Sequence, residues 1–192
     1  SEKMLGVGEG GLVVTNNKSL HDKAYFYAAR ASDFSHNKNY WWERYYYKDV
    51  GMNYRLPHAL GAIGLAQLEN FPKILHMKKA VGQKYIELLK DISEIELQKK
   101  IYGSEPVYWL NAVILKDKSK EEVREIGKKL IEKGIEIRPG FWPLGDLDYL
   151  KNYKFGDHEN GNYLFEHMII LPSSINLVEN NFDGIKEIVE LL

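Results

Sequence analysis

Cysteine is absent from this chain. That excludes a disulfide framework and any thiolate nucleophile or thiolate metal ligand. The six histidines, His21, His36, His58, His76, His158 and His167, are scattered, and no two stand at His-x-x-His or His-Glu-x-x-His spacing. No metal site is expected from such a set. An excess of one charge is also missing: 26 Lys and Arg face 27 Asp and Glu, well mixed, for a net charge of -1. Nucleic acid binding would call for a basic stripe, so no nucleic acid partner is expected. No apolar run approaches the roughly 20 residues that span a bilayer, and no signal-peptide pattern opens the chain. A soluble cytoplasmic protein without a membrane role is therefore the default expectation. Internal repeats and low-complexity segments are lacking too.

What is present begins at Lys3, five residues ahead of Gly8-Glu9-Gly10-Gly11. The glycines let the backbone turn sharply and approach a bound group closely. Leu12-Val13-Val14 follows and reads as a buried strand. A lysine held against such a wall loses hydration and becomes the nucleophile that a Schiff base with pyridoxal phosphate (PLP) needs. A P-loop is excluded by order, because its lysine follows the glycines rather than preceding them. The plain alternative is an exposed lysine before a glycine turn.

The 192 residues suffice for one large core or two small ones. Leu12 to Thr15 is expected as a strand that turns at Asn16-Asn17-Lys18, with Ser19 capping a helix striped by Leu20, Ala24, Phe26 and Tyr27. From Asp33 to Val50 no period emerges. That stretch carries Tyr40, Trp41, Trp42, Tyr45, Tyr46 and Tyr47, aromatics that pack over a partner subunit, line a pocket, or fold back on their own domain. Pro57 suits the first turn of a helix through Leu60, Ile63, Ala66 and Leu68. A second helix is expected from about Ile74 to Leu89.

Beyond it the pattern is α+β. Val107 to Leu115 reads as a strand. Ser119 and Glu122 form a capping box for a helix through Val123, Ile126, Leu130 and Ile131 that stops at Gly134. Ile135 to Arg138 is a further strand, ended by Pro139-Gly140. Met168 to Leu171 is another, and a closing helix carries Phe182, Ile185, Ile188, Val189 and Leu192.

Four of these stretches, in the right order along the whole chain, resemble the sugar aminotransferases of the DegT/DnrJ/EryC1/StrS type. Lys3 to Gly11 resembles their Asn-Lys-x-x-Thr-Thr-Gly-Glu-Gly-Gly, with Glu2 in place of the Asn and Gly6-Val7 in place of the Thr pair. Gly51-Met52-Asn53-Tyr54-Arg55, leading into Gly64-Leu65-Ala66-Gln67-Leu68-Glu69, is the second match. Gly134 to Leu144 resembles their Gly-Ile-x-x-Arg-x-x-Phe-x-Pro-Leu, and Leu171-Pro172-Ser173 their closing Leu-Pro-Ser.

The resemblance implies an α/β, fold-type I aminotransferase, of which this chain is the C-terminal portion. Residues 1–72 would be the C-terminal part of the PLP-binding large domain, and 73–192 a linking helix with the small α+β domain. Lys3 would link PLP and carry the proton in transamination. Asn53 would reach the PLP phosphate of the other subunit of a homodimer, with Arg55 beside it. An amide donor and a cation both suit a phosphate. Without the resemblance, Asn53 is a turn residue and Arg55 a salt-bridge partner.

On the substrate side stand Arg138, Phe141 and Trp142. The two rings are expected to project from a loop stiffened by Pro143 and to cover a sugar or cofactor face. Alternatively, Arg138 pairs with a carboxylate and the rings plug the small domain's own core. The reaction implied is transfer of an amino group from glutamate to a nucleotide-linked 4-keto-6-deoxy sugar. Alternatives are a sugar dehydratase of the same family, which carries His where Lys3 stands, a non-catalytic binding or regulatory module, and an inactive fragment.

Overall fold

The computed structural model describes residues 3–32, 46–153, 156, 158–179, 182, 185, 188–190 and 192. Contacts divide the chain into two units, Ser1–Phe71 and Pro72–Leu192. Tyr40, Trp41, Trp42 and Tyr45 lie outside the described residues, while Tyr46 and Tyr47 are exposed.

The first unit is built on two helices, α1 (Lys18–Ala28) and α2 (His58–Glu69). Asn17, not Ser19, caps α1. Its backbone is extended, and its side chain accepts the Leu20 N–H at 3.2 Å, which leaves Ser19 inside the first turn. Asn here satisfies one of the orphan donors at the helix start as well as Ser would. Pro57 stands just ahead of α2, at the cap itself. Leu12-Val13-Val14 is not a buried strand. The three side chains are 89, 78 and 88 % exposed and the segment pairs with no other among the described residues. An apolar run becomes a strand only when a neighbour accepts its backbone bonds, and no described segment supplies one.

The second unit is a four-stranded antiparallel sheet with helices packed against one face. Its elements are α3 (Phe71–Leu89, all but its first residue), β1 (Ile95–Leu97), β2 (Asn111–Leu115), α4 (Lys120–Glu132), β3 (Arg138–Pro139), α5 (Glu159–His167), β4 (Met168–Leu171) and the short α6 (Asn176–Glu179). The strand order is β1-β2-β4-β3. Register pairs Val113 with Ile169, Asn111 with Leu171, and Leu115 with Ile95. Side chains alternate between faces along a strand, so these residues share one face. There they meet Val81, Tyr85 and Leu89 of α3, Val123 and Leu130 of α4, and Ile185 and Ile188 near the C-terminus. The opposite face carries Glu96, Ala112, Ile114, Met168 and Ile170.

The box at Ser119 is present in full: Ser119 Oγ accepts the Glu122 N–H while the Glu122 carboxylate accepts the Ser119 N–H at 2.7 Å. Gly134 ends the helix with φ +80°, the left-handed conformation that glycine adopts without penalty. Two strands are shorter than their patterns. β2 begins at Asn111, not Val107, and β3 spans only Arg138–Pro139. Pro139 is the last residue of β3, tolerated there because β3 is an edge strand where a missing N–H removes no ladder bond.

Candidate functional site

Lys3 is exposed, and the apolar wall expected behind it is not buried. The turn that follows is built as its glycines suggest. Gly8 has φ +81° and Gly10 φ +152°. This turn packs on the start of α2. A Cβ on Gly10 would come within 3.0 Å of Leu56 Cδ1, and one on Gly64 within 3.0 Å of Val7 Cγ1. Gly64 therefore has no side chain because Val7 occupies the space over α2. The lysine motif and the Gly-x-Asn-Tyr-Arg motif are thereby joined in one unit.

The second motif is fixed by its backbone. The chain leaving α1 turns back through Arg30 (φ 68°) and Ala31 (φ 51°), both in the left-handed region. The segment ending at Tyr54 then pairs with it antiparallel. The Arg30 N–H donates to Met52 O at 2.9 Å, Met52 N–H to Tyr27 O at 2.8 Å and Tyr54 N–H to Ala28 O at 2.9 Å, with Ala29 opposite Asn53. Gly51 makes the approach possible. A Cβ there would overlap Ala31 N and Arg30 C and stand 2.8 Å from Arg30 Cα. Asn53 is thus held by its main chain while its amide side chain is exposed and makes no hydrogen bond among the described residues. Arg55 is likewise exposed and without an ion pair among them. The salt-bridge alternative for Arg55 does not occur there. Tyr27, on the same pairing, donates its hydroxyl to Asp49 at 3.0 Å, and that carboxylate raises the phenol above its usual range.

Arg138, Phe141 and Trp142 stand in the second unit. Arg138 lies opposite Ile170 on β3 and so shares the open face of the sheet. It pairs with the Glu136 carboxylate at 3.8 Å, an exposed and weak contact. Gly140 lets the loop lie on α5, since a Cβ there would be 2.7 Å from Leu164 O. Phe141 and Trp142 are 69 and 60 % exposed, so neither plugs the core. Trp142 stacks on Phe165 at 4.3 Å between ring centroids. Phe141 borders a groove of about 680 Å³ over the open face, with Ala112, Ile114, Met168 and Ile170 as its floor and Trp109 at its rim.

The fourth motif has a role that spacing did not show. Ser173 Oγ accepts from the Asn111 backbone N–H at 2.9 Å and from its side-chain amide at 3.0 Å, and donates to Leu171 O at 2.9 Å. Lys78 of α3 donates to Ser173 O at 2.5 Å and to Trp109 O at 3.3 Å, and Tyr85 donates to Pro172 O at 2.9 Å. Partial burial pushes the Lys78 amine below its usual range. Beside this knot the Tyr108 ring sits on Gly82, at φ 48°, where a Cβ on Gly82 would be 2.6 Å from Cδ2 of the ring. Leu-Pro-Ser is thus a structural clamp.

The donor set suits PLP. An exposed amine stands before a glycine turn, and an amide and a guanidinium without side-chain partners among the described residues stand in the same unit. No group of three or more His, Cys, Asp or Glu able to hold a metal occurs among the described residues. No helix among them is long and apolar enough to cross a membrane.

The model of the DegT/DnrJ/EryC1/StrS aminotransferase family matches residues 1–190. A GDP-perosamine synthase of Escherichia coli O157:H7 is 28 % identical over 89 % of this chain and 44 % of its own length. A GDP-4-keto-6-deoxy-D-mannose 3-dehydratase of Yersinia pseudotuberculosis is 30 % identical over 78 % of this chain and 40 % of its own. Among solved structures, the aminotransferase TlmJ of Streptoalloteichus hindustanus superposes with a TM-score of 0.83 over 98 % of this chain and 49 % of its own, at 17 % identity. The chain spans about half the length of the proteins it matches or less. The chain belongs to the DegT/DnrJ/EryC1/StrS aminotransferase family.

Proposed function

We propose that this chain forms the C-terminal half of a PLP-dependent aminotransferase that moves an amino group from glutamate to a nucleotide-linked 4-keto-6-deoxy sugar. The observation that supports the reading is the turn after Lys3, built on Gly8 at φ +81° and Gly10 at φ +152° and packed on the start of α2. Residues 1–72 are the end of the cofactor domain in this reading, and 73–192 the linking helix and small domain. PLP, when bound, supplies the electron sink for the carbanion left when the α-proton departs. Lys3 holds the cofactor and, once freed by the incoming amine, takes that proton and returns it.

Asn53 donates its amide to the cofactor phosphate of a partner subunit in a homodimer, and Arg55 adds a cation there. The exposure of both side chains supports a role toward something beyond their own unit. Arg138, Phe141 and Trp142 border the sugar nucleotide. A dehydratase is the second reading, since one relative carries that name. Lys3 favours transamination over it, because the dehydratases put His at that position.

Borohydride reduction of the full-length protein tests the assignment. The expected result is a PLP adduct on the peptide holding Lys3, lost together with turnover in Lys3→Ala. Lys3→Arg should fail as well, because a guanidinium stays protonated. Normal trapping and turnover in Lys3→Ala would overturn the assignment.

A further inference from the structure

A groove of about 340 Å³ runs in the second unit between α4, the β3–β4 edge and α5. That volume is in the range of small-molecule sites. Val123, Ile131, Ile137, Phe165 and Ile169 make its lining largely apolar. Gly127 lets Ile137 pack close on α4, since a Cβ there would come within 3.1 Å of Ile137 Cδ1.

One rim is cationic. Lys120, Arg124 and Lys128 follow one another at intervals of four along α4 and so share a face. Lys120 is engaged by Glu166 at 2.6 Å. Arg124 and Lys128 are exposed and make no ion pair among the described residues. Glu132 is the other carboxylate of the lining, one turn beyond Lys128.

We propose that this groove binds a small amphiphilic carboxylate. Its apolar body would rest on Val123, Ile131, Ile137 and Phe165, and its anionic group would sit between Arg124 and Lys128. A polyanion would leave the apolar floor unused. The lining carries four cations, Lys120, Arg124, Lys128 and Arg138, against two carboxylates, Glu132 and Glu166, so an anion is favoured over a neutral ligand. An added peptide strand finds little to pair with, because β3 has two residues and Pro139 offers no N–H. Arg138, assigned above to the sugar nucleotide, also lines this groove, so the test is read from methyl shifts and not from turnover.

The test uses the full-length protein with isoleucine methyl groups labelled for NMR, titrated with decanoate below its micelle concentration and, separately, with decanol. Decanoate should shift the Ile131, Ile137 and Ile169 methyl signals saturably. The double variant Arg124→Gln/Lys128→Gln changes only exposed side chains. It should weaken decanoate binding by about tenfold or more and leave the response to decanol unchanged. The proposal is overturned if decanoate leaves these three methyls unmoved, if the double variant binds it as tightly, or if decanol binds as tightly as decanoate.

Discussion

Gly51→Ala is the most discriminating single change in the first unit. Its Cβ would overlap two backbone atoms, Ala31 N and Arg30 C. Backbone does not rotate away as a side chain does, and Arg30 and Ala31 are already in the left-handed region. The segment carrying Asn53 must therefore move outward by about 1 Å, or the overpacking is absorbed as strain of about 1–3 kcal/mol. Moving outward stretches three hydrogen bonds that now measure 2.8–2.9 Å, at Arg30, Met52 and Tyr54. Each is worth about 0.5–1.5 kcal/mol. The strain route thus costs about 1–3 kcal/mol and the displacement route about 1.5–4.5 kcal/mol.

Denaturant unfolding gives the total, and amide hydrogen exchange at Arg30, Met52 and Tyr54 locates it. The control is Gly11→Ala, where nothing stands within 4 Å of the new methyl, and which should be close to neutral. Wild-type exchange protection at those three amides in Gly51→Ala, with stability within about 0.5 kcal/mol, would refute the reasoning.

Other outcomes follow from the same geometry. Mixing Lys3→Ala subunits with Asn53→Asp subunits should restore activity to some sites, because one site of the mixed dimer keeps both groups; no rescue after verified subunit exchange would count against a shared site. Trp142→Ala removes an exposed ring stacked on Phe165, so it should raise the sugar-nucleotide KM or lower kcat with the melting temperature nearly unchanged. A loss of about 3–5 kcal/mol with normal kinetics would instead mark a core aromatic. The Glu122 carboxyl is held below its ordinary value by the Ser119 N–H it accepts. Its stabilisation is present above the ordinary carboxylate value and is lost as pH falls through the lowered one. The stability gap between wild type and Glu122→Gln should therefore shrink between about pH 6 and about pH 3, and a pH-independent gap would contradict that sign.

Much of the second unit was legible because its signals are local. A capping box, a glycine stop and the run Met168 to Leu171 each act within a few residues. Features that depend on distant partners were not. Leu12-Val13-Val14 has the composition of a strand, but a strand exists only by pairing. Conversely Ile95–Leu97 is too short to announce itself and becomes β1 because β2 accepts it. In the site, the motif residues could be listed, yet the reason Gly51 must be glycine lies in the backbone of Arg30 and Ala31 some twenty residues earlier. Lys78 carried no sequence signal at all, since the carbonyls it binds stand 31 and 95 residues away.

That separation has a consequence in time. β4 lies between β2 and β3 in the sheet yet is the last strand in the sequence. Tyr85 waits 87 residues for its carbonyl partner. At roughly 5–20 residues per second of synthesis, α3 emerges roughly 5–20 s before the strand that covers it. For most of that interval Val81, Tyr85 and Leu89 have only the β1–β2 pair to pack on. The nascent chain therefore presents a defined apolar helix face to chaperones while β4 is still to be made.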